Sequence, residues 1–227
     1  WPYFGGATAG IQGERVRHFF MSAAVSLAAQ SSPGLSILEI GSWTGSSTLT
    51  WAQAMDSYCR DQGKILCVDP WLPYFSAEQL QQDANYQLMA TLSGLDITYN
   101  LFLHNTQFVP KGVKVDHMRG LSVDILPYLK EASFDMVYID GDHAYESALF
   151  DMLMAKKLVK PGGLICGDDL EVQAAECDLA FLEANKALDI LPVPDLKRNC
   201  HPGVTLAVHE AFGDVSAYHG FWVMREA

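Results

Sequence analysis

Leu38-Glu39-Ile40-Gly41-Ser42-Trp43-Thr44-Gly45-Ser46-Ser47 runs from an apolar strand, through a turn bounded by two glycines, into a helix. Glycine lets a ligand approach the backbone, and in open parallel sheets ligands bind at the carboxyl ends of strands. The stretch therefore predicts a parallel α/β sheet with a cofactor seated at the turn. Its spacing is G-x-x-x-G, not the G-x-G-x-x-G of dinucleotide enzymes.

Outward from this stretch, short apolar runs at 35–41, 65–69, 113–118, 134–140 and 163–168 read as strands, each bounded by Gly, Pro or Asp. Between the last two, Tyr145, Leu149, Met152, Ala155 and Val159 recur at spacings of three and four and predict one apolar helix face, ended by Lys160-Pro161-Gly162-Gly163. Residues 14–30 read as an Ala- and Phe-rich helix, preceded by a mobile opening at Phe4-Gly5-Gly6. Residues 171–187 read as a further helix, and 191–202 as a proline-rich loop. The segment 202–212 has helical period and stops at Gly213, and the runs 215–218 and 221–224 flank His219-Gly220 as a hairpin would. The expected fold is α/β: a Rossmann-like, doubly wound, mostly parallel sheet with an antiparallel C-terminal hairpin.

The second strand ends at Val68-Asp69-Pro70, where a carboxylate can accept both hydroxyls of a ribose. A dinucleotide brings an anionic pyrophosphate, whereas S-adenosylmethionine brings a sulfonium and an amino group and no phosphate, and the acidic Glu39 suits the second. The plainer alternative is that Gly41 and Gly45 only make a tight turn and Asp69 caps a helix. Taken together, the glycine turn and the strand ending in Asp resemble class I S-adenosylmethionine-dependent methyltransferases. The resemblance implies cofactor contacts at Glu39, Gly41, Ser42, Gly45, Ser46, Asp69 and Asp140. It also implies adenine contacts at Arg119 and Ser122, although Ser122 equally suits a helix N-cap. One methyltransferase domain over 1–227 is expected, with 1–34 a helical extension or lid, 35–169 the cofactor- and metal-binding core, and 170–227 C-terminal helices and hairpin.

Tyr138-Ile139-Asp140-Gly141-Asp142-His143-Ala144-Tyr145 and Cys166-Gly167-Asp168-Asp169 both end strands. If the first and fourth strands are neighbours, up to four carboxylates crowd one rim, with no Lys or Arg in either segment. Like charges held so close must raise a pKa or share a cation. Oxygen ligands without Cys suit a hard cation, Mg²⁺ first and Mn²⁺ or Ca²⁺ as alternatives. Against this, Asp168 and Asp169 can cap the following helix while Asp142 sits in solvent. The paired motifs resemble the metal-dependent, macrocin-type sugar O-methyltransferases, and the aspartate spacing also resembles catechol O-methyltransferases. The resemblance implies metal ligands at Asp140, Asp168 and Asp169 and a general base at Asp142 or His143, with His143 preferred because its pKa suits proton removal near neutrality. The acceptor it implies is a small hydroxylated molecule such as a sugar or natural product. Trp43, Trp71, Tyr74 and Phe75 serve either as an acceptor surface or as packing.

The whole chain limits the alternatives. With 227 residues, 49% hydrophobic and 19% charged, it can bury one sizeable core. A net charge of −12 argues against a nucleic-acid partner, whose binding needs clustered Lys and Arg. No apolar run is long enough to cross a bilayer and no signal peptide opens the chain, so the expected setting is cytoplasmic, with a homo-oligomer left open. The five cysteines form no metal-site spacing and read as free thiols, Cys67 and Cys166 inside strands. The competing functions are a metal-independent methyltransferase, a nicotinamide enzyme, and a methyltransferase-like protein that holds cofactor without catalysis.

Overall fold

Each predicted apolar run becomes a strand of one twisted sheet. In the computed structural model, which describes residues 1–4, 15–59, 63–82, 84–194 and 196–226, these are β1 (Ser36–Ile40), β2 (Gly63–Asp69), β3 (Val113–Arg119), β4 (Phe134–Ile139) and β5 (Val159–Leu170). They lie parallel in the order β3-β2-β1-β4-β5, so β1 and β4 are neighbours at the switch point. A two-stranded ribbon, β6 (Leu191–Pro192) with β7 (Asn199–Cys200), occupies the proline-rich loop. The hairpin of β8 (Ser216–Tyr218) and β9 (Gly220–Arg225) completes the sheet, β9 running antiparallel to β5. His219 and Gly220 both have positive φ (+53° and +86°), as a two-residue hairpin turn of the primed type requires.

Strand alternation distributes the core to the two faces. Ile37, Ile65, Cys67 and Tyr138 pack under α1 (Arg17–Ala28) and α2 (Ser46–Tyr58). Leu38, Ile40, Val137 and Ile165 pack under α7 (Tyr145–Leu158) and α9 (Pro202–Phe212). Glu39 follows Ile37 onto the α2 face. All five cysteines are free thiols, and Cys67, Cys166 and Cys200 are buried. No helix among the described residues is long and apolar enough to cross a membrane.

Several segments differ from expectation. Three helices absent from the sequence reading, α3 (Ala77–Gln82), α4 (Ala84–Gly94) and α5 (Ile97–Asn105), lie between β2 and β3. The helix expected over 123–129 is α6 (Ser122–Ile125) followed by a tighter turn containing Pro127, which cannot donate to an α-helical ladder. The helix expected over 171–187 is only α8 (Leu179–Asn185), because the Asp178 carboxylate accepts from the Ala180 amide (2.9 Å) and starts a new helix there. The buried face of α7 is Ala148, Asp151, Met152, Ala155 and Leu158, rotated from the predicted stripe so that an aspartate points inward while Tyr145 and Leu149 are half-buried. Gly5, Gly6 and Glu14 of the expected opening and first helix lie outside the described residues.

Candidate functional site

The turn after β1 is held by backbone geometry that only glycine permits. Gly41 has φ +82°, and a Cβ there would lie 1.8 Å from the carbonyl oxygen of Asp140, so β1 and β4 approach too closely for any side chain. The Gly41 amide donates to Val68 (2.9 Å) and that of Asp140 to Ile40 (2.9 Å), fixing three strand ends together. Gly45, at φ +86°, precedes α2, where a Cβ would press on the Phe102 ring at 3.3 Å.

Asp69 closes this loop. One carboxylate oxygen accepts from the amides of Ser42 (2.8 Å) and Trp43 (2.9 Å), the other from that of Trp71 (2.6 Å). Burial raises its pKa, and the three amides oppose that. An ionised carboxylate has about four acceptor positions, so one remains for a ribose hydroxyl. Glu39 lies beneath the loop rather than on its ligand side. It is fully buried and accepts from Ser42 Oγ (2.9 Å), Thr48 Oγ1 and Cys67 Sγ (3.2 Å). Its role is therefore to brace the loop, a correction to the expected cofactor contact. Burial raises its pKa against those donors.

A cavity of about 820 Å³ opens above these strand ends. Gly41, Ser42, Ser46, Asp69, Ser122, Asp140, Asp142, His143 and Asp169 lie on its wall, whereas Glu39, Gly45, Arg119 and Asp168 do not. Arg119 turns outward to Asp96 and the carbonyl of Pro70 (3.3 Å), over the Tyr99 ring, which corrects its assignment to adenine. The expected aromatic surface divides. Trp43, Tyr74 and Phe75 reach the cavity, and Trp71, 1% exposed, packs on Tyr99 and Phe102.

The acidic rim holds the main departure from the sequence reading. Its counter-charge comes from α1: the Arg17 guanidinium, 5% exposed, pairs with Asp168 and with Asp140 (3.2 Å). Burial works against this charge, but the carboxylates of Asp140 and Asp168 outweigh it and strengthen the cationic form. Asp168 is pushed up to about 7 by burial and by Asp169, against the pull of Arg17, and burial likewise raises Asp140. With Asp168 drawn away from the cavity, the expected set of Asp140, Asp168 and Asp169 does not converge as one metal site.

A different set converges. The β5–β9 pairing shifts register between Gly167 and Leu170, and Asp169 takes φ +67°, which turns its carboxylate toward the cavity. There it meets His143 Nε2 at 3.0 Å, and His143 Nδ1 meets Asp189 at 2.5 Å. His201, whose ring centre is 4.7 Å from that of His143, binds Glu171 at 3.1 Å. Gly203 allows this, since a Cβ there would lie 2.3 Å from the His143 carbonyl, so α9 can bring His201 alongside. Burial disfavours the His143 imidazolium, yet Asp169 and Asp189 hold its pKa well above the usual value, and Asp169 is lowered in return by His143 and His201 despite its burial. Asp140, His143 and Asp169 each offer a ligand atom within 4.8 Å of the others, as do His143, Asp189 and His201. The carboxylates of the first set, Asp140 and Asp169, suit a hard divalent cation, Mg²⁺ or Mn²⁺, with the His143 imidazole beside it. Asp142, exposed, accepts from the Ala144 amide at 3.2 Å.

The sequence profile of a family described as a methyltransferase domain matches residues 38–170, more than half of the chain. The chain belongs to this family. As a methyltransferase-domain protein it is an S-adenosylmethionine-dependent methyltransferase. A search among curated proteins finds no significant match. Solved structures resemble the domain at low identity. A candidate caffeoyl-CoA O-methyltransferase from Staphylococcus aureus is 13% identical, with a TM-score of 0.50 and coverage of 96% of this chain and 86% of its own. The O-methyltransferase TomG from Streptomyces achromogenes, involved in tomaymycin synthesis and solved with SAM, is 18% identical (TM-score 0.49; 96% and 83%). An O-methyltransferase from Bacillus cereus in complex with SAH is 19% identical (TM-score 0.46; 94% and 81%). At these identities the likeness concerns the fold alone.

Arg17, Asp189 and His201 were missed by sequence reasoning. For Arg17 a signal exists: with Met21, Ala24, Val25 and Ala28 it occupies the i, i+4, i+7, i+8, i+11 face that α1 buries. A charge on a core stripe demands a partner.

Proposed function

We propose that the protein methylates a hydroxyl oxygen of a small hydroxylated molecule, a sugar or another natural product, with a divalent cation held by Asp140 and Asp169. The observation that carries this reading is that one cavity joins the cofactor end, at Gly41, Ser42 and Asp69, to the carboxylate–imidazole cluster at Asp140, His143 and Asp169. S-adenosylmethionine supplies the electrophilic methyl group, and the cation, when bound, supplies positive charge that acidifies an acceptor hydroxyl.

The chain's own residues position and deprotonate. Asp69 and the Ser42 loop orient the cofactor's ribose. Trp43, Tyr74 and Phe75 cover the acceptor side and exclude water. Asp189 holds Nδ1 of His143, and Nε2, which donates to Asp169 while the ring is charged, becomes the proton acceptor on the rim once that proton has left. Asp189 is itself bonded by Tyr86 of α4, so the helices between β2 and β3 are tied to the proposed base. Asp142, engaged with the Ala144 amide, is the lesser candidate for that role. Holding the two reactants in line contributes most of the acceleration, an effect of roughly 7–11 kcal/mol in favourable cases.

The test is a panel of glycosides and phenols assayed with S-adenosylmethionine, with Mg²⁺ or Mn²⁺ and after chelation. O-methylated product that disappears on chelation supports the proposal. Activity confined to amines or carboxylates refutes the oxygen assignment, and full activity after chelation refutes the cation.

A further inference from the structure

Asp151 is a buried carboxylate that the reaction outlined above does not use. It projects from the core face of α7, is 2% exposed, and lies on the cavity wall. Two parts of that wall meet at it. The Ser122 side chain at the start of α6 lies beside it and opposes the upward push of burial on its pKa. Its Oδ2 faces the end of β4, 3.4 Å from where a Cβ on Gly141 would stand. Its Oδ1 is buried and has no hydrogen-bond partner among the described residues. No ion pair reaches it there, and the charged neighbour acting on it is Asp142, of like sign.

A buried carboxyl oxygen without a donor is costly, because it has given up its hydrogen bond to water. Around it the wall is apolar, with Leu121, Val123 and Phe150. A ligand suited to this place is flat and uncharged and carries an N–H donor on its edge. A cation would be held by electrostatics at the opposite cluster, and a phosphate would be repelled. The 6-aminopurine ring of the cofactor meets the description, with apolar faces and an exocyclic amino group.

We infer that Asp151 is the residue that reads the adenine of S-adenosylmethionine, its carboxyl, beside Ser122 and Gly141, accepting from the 6-amino group. The place assigned to Arg119 on sequence grounds thus passes to a residue on a helix that follows a different strand. Burial raises the Asp151 carboxyl to about 7, so its protonated form can also donate to a ring nitrogen beside the amino group. This inference rests on the cofactor assignment and goes beyond it in naming the group that selects the base.

Calorimetry with S-adenosylhomocysteine and its 6-deamino analogue, which carries unsubstituted purine, tests this directly. The unmodified protein should prefer the adenosyl compound by roughly 10–100-fold, the affinity equivalent of leaving one buried acceptor unpaired. Asp151→Leu should bring the two affinities within about threefold by weakening the adenosyl compound alone. Asp151→Asn, which keeps an amide oxygen and can pair with adenine, should retain most of the preference. Equal binding of both compounds by the unmodified protein overturns the inference without any variant. An undiminished preference in Asp151→Leu overturns it as well. Failure of the unmodified protein to bind S-adenosylhomocysteine at all would instead refute the cofactor assignment.

Discussion

Replacing Arg17 with Met removes the cation between Asp140 and Asp168 while keeping an unbranched side chain of similar reach. Both Arg17 and Asp168 side chains are 6% exposed, so solvent screens the pair little. Breaking a buried ion pair by removing one partner costs about 3–5 kcal/mol. For a domain of this size that is roughly 6–20 °C in Tm, taking about 2–4 °C per kcal/mol. The loss should depend on pH. Asp168 has a folded pKa of about 7 against an ordinary value of 3.8, so its protonated form is the one the fold favours. Such a group stabilises at low pH, and its contribution is lost as pH rises from the unfolded value through the folded one. Without Arg17 the folded pKa moves higher still, and the lost stability is larger at pH 8 than at pH 5.5. The freed carboxylates of Asp140 and Asp168 should then take up Mg²⁺ or Mn²⁺, restoring part of the Tm until a chelator is added. Thermal melts at the two pH values, with and without cation, decide the matter. A variant melting within about 2 °C of the parent at pH 8, or showing the same gap at both pH values, refutes the reasoning.

Three further outcomes are expected. Asp140→Asn and Asp169→Asn should lose cation binding, measured by calorimetry with Mn²⁺, and most turnover, whereas Asp168→Asn, remote from the cavity wall, should keep its cation affinity within a few-fold. His143→Ala should lower kcat by roughly 10²–10⁴-fold; Asp189→Ala, by removing a carboxylate that raises the His143 pKa, should move the acid limb of the pH–rate profile to lower pH. Asp151→Asn should flatten the pH dependence of cofactor-free stability: a carboxyl at about 7 folded and 3.8 unfolded loses roughly 2–3 kcal/mol between pH 5 and 8, and denaturant melts should show that slope in the parent and not in the variant.

The sequence made legible what local chemistry determines. The apolar run into Gly41 and Gly45 located β1, its turn and α2, because no other residue tolerates φ +82° with a carbonyl 1.8 Å from the Cβ position. Alternating runs and helical stripes located the parallel strands, the pairing of β4 with β1 entered only as a condition that the structure meets, and His219-Gly220 located the hairpin. Knowing that a residue ends a strand fixes its rim but not its direction. Asp168 and Asp169 are adjacent, yet a bulge and one left-handed backbone angle separate them, one toward Arg17 and the other toward the cavity. Arg119 likewise ends β3 and turns away from the ligand side because Asp96 and the carbonyl of Pro70 hold it there. The helices between β2 and β3, with Tyr86 among them, went unread.

What remained illegible is long-range charge pairing. The two segments that carry the three aspartates hold no basic residue, but the neutralising arginine lies 123 and 151 positions away in the chain. Local reading of charge therefore overestimated the need for a cation at Asp168 and missed where the surplus sits. Around Asp169 and Asp189 two histidines now share protons with the carboxylates, and a site that holds protons in place of a cation should exchange them for one. The two occupants are distinguishable. If a divalent cation belongs at Asp140 and Asp169, beside the His143 imidazolium, its binding at neutral pH must release protons, and the calorimetric enthalpy must vary with the ionisation heat of the buffer. Cation binding with no buffer dependence would mean that His143 keeps its proton, and the base would then have to be sought in Asp142.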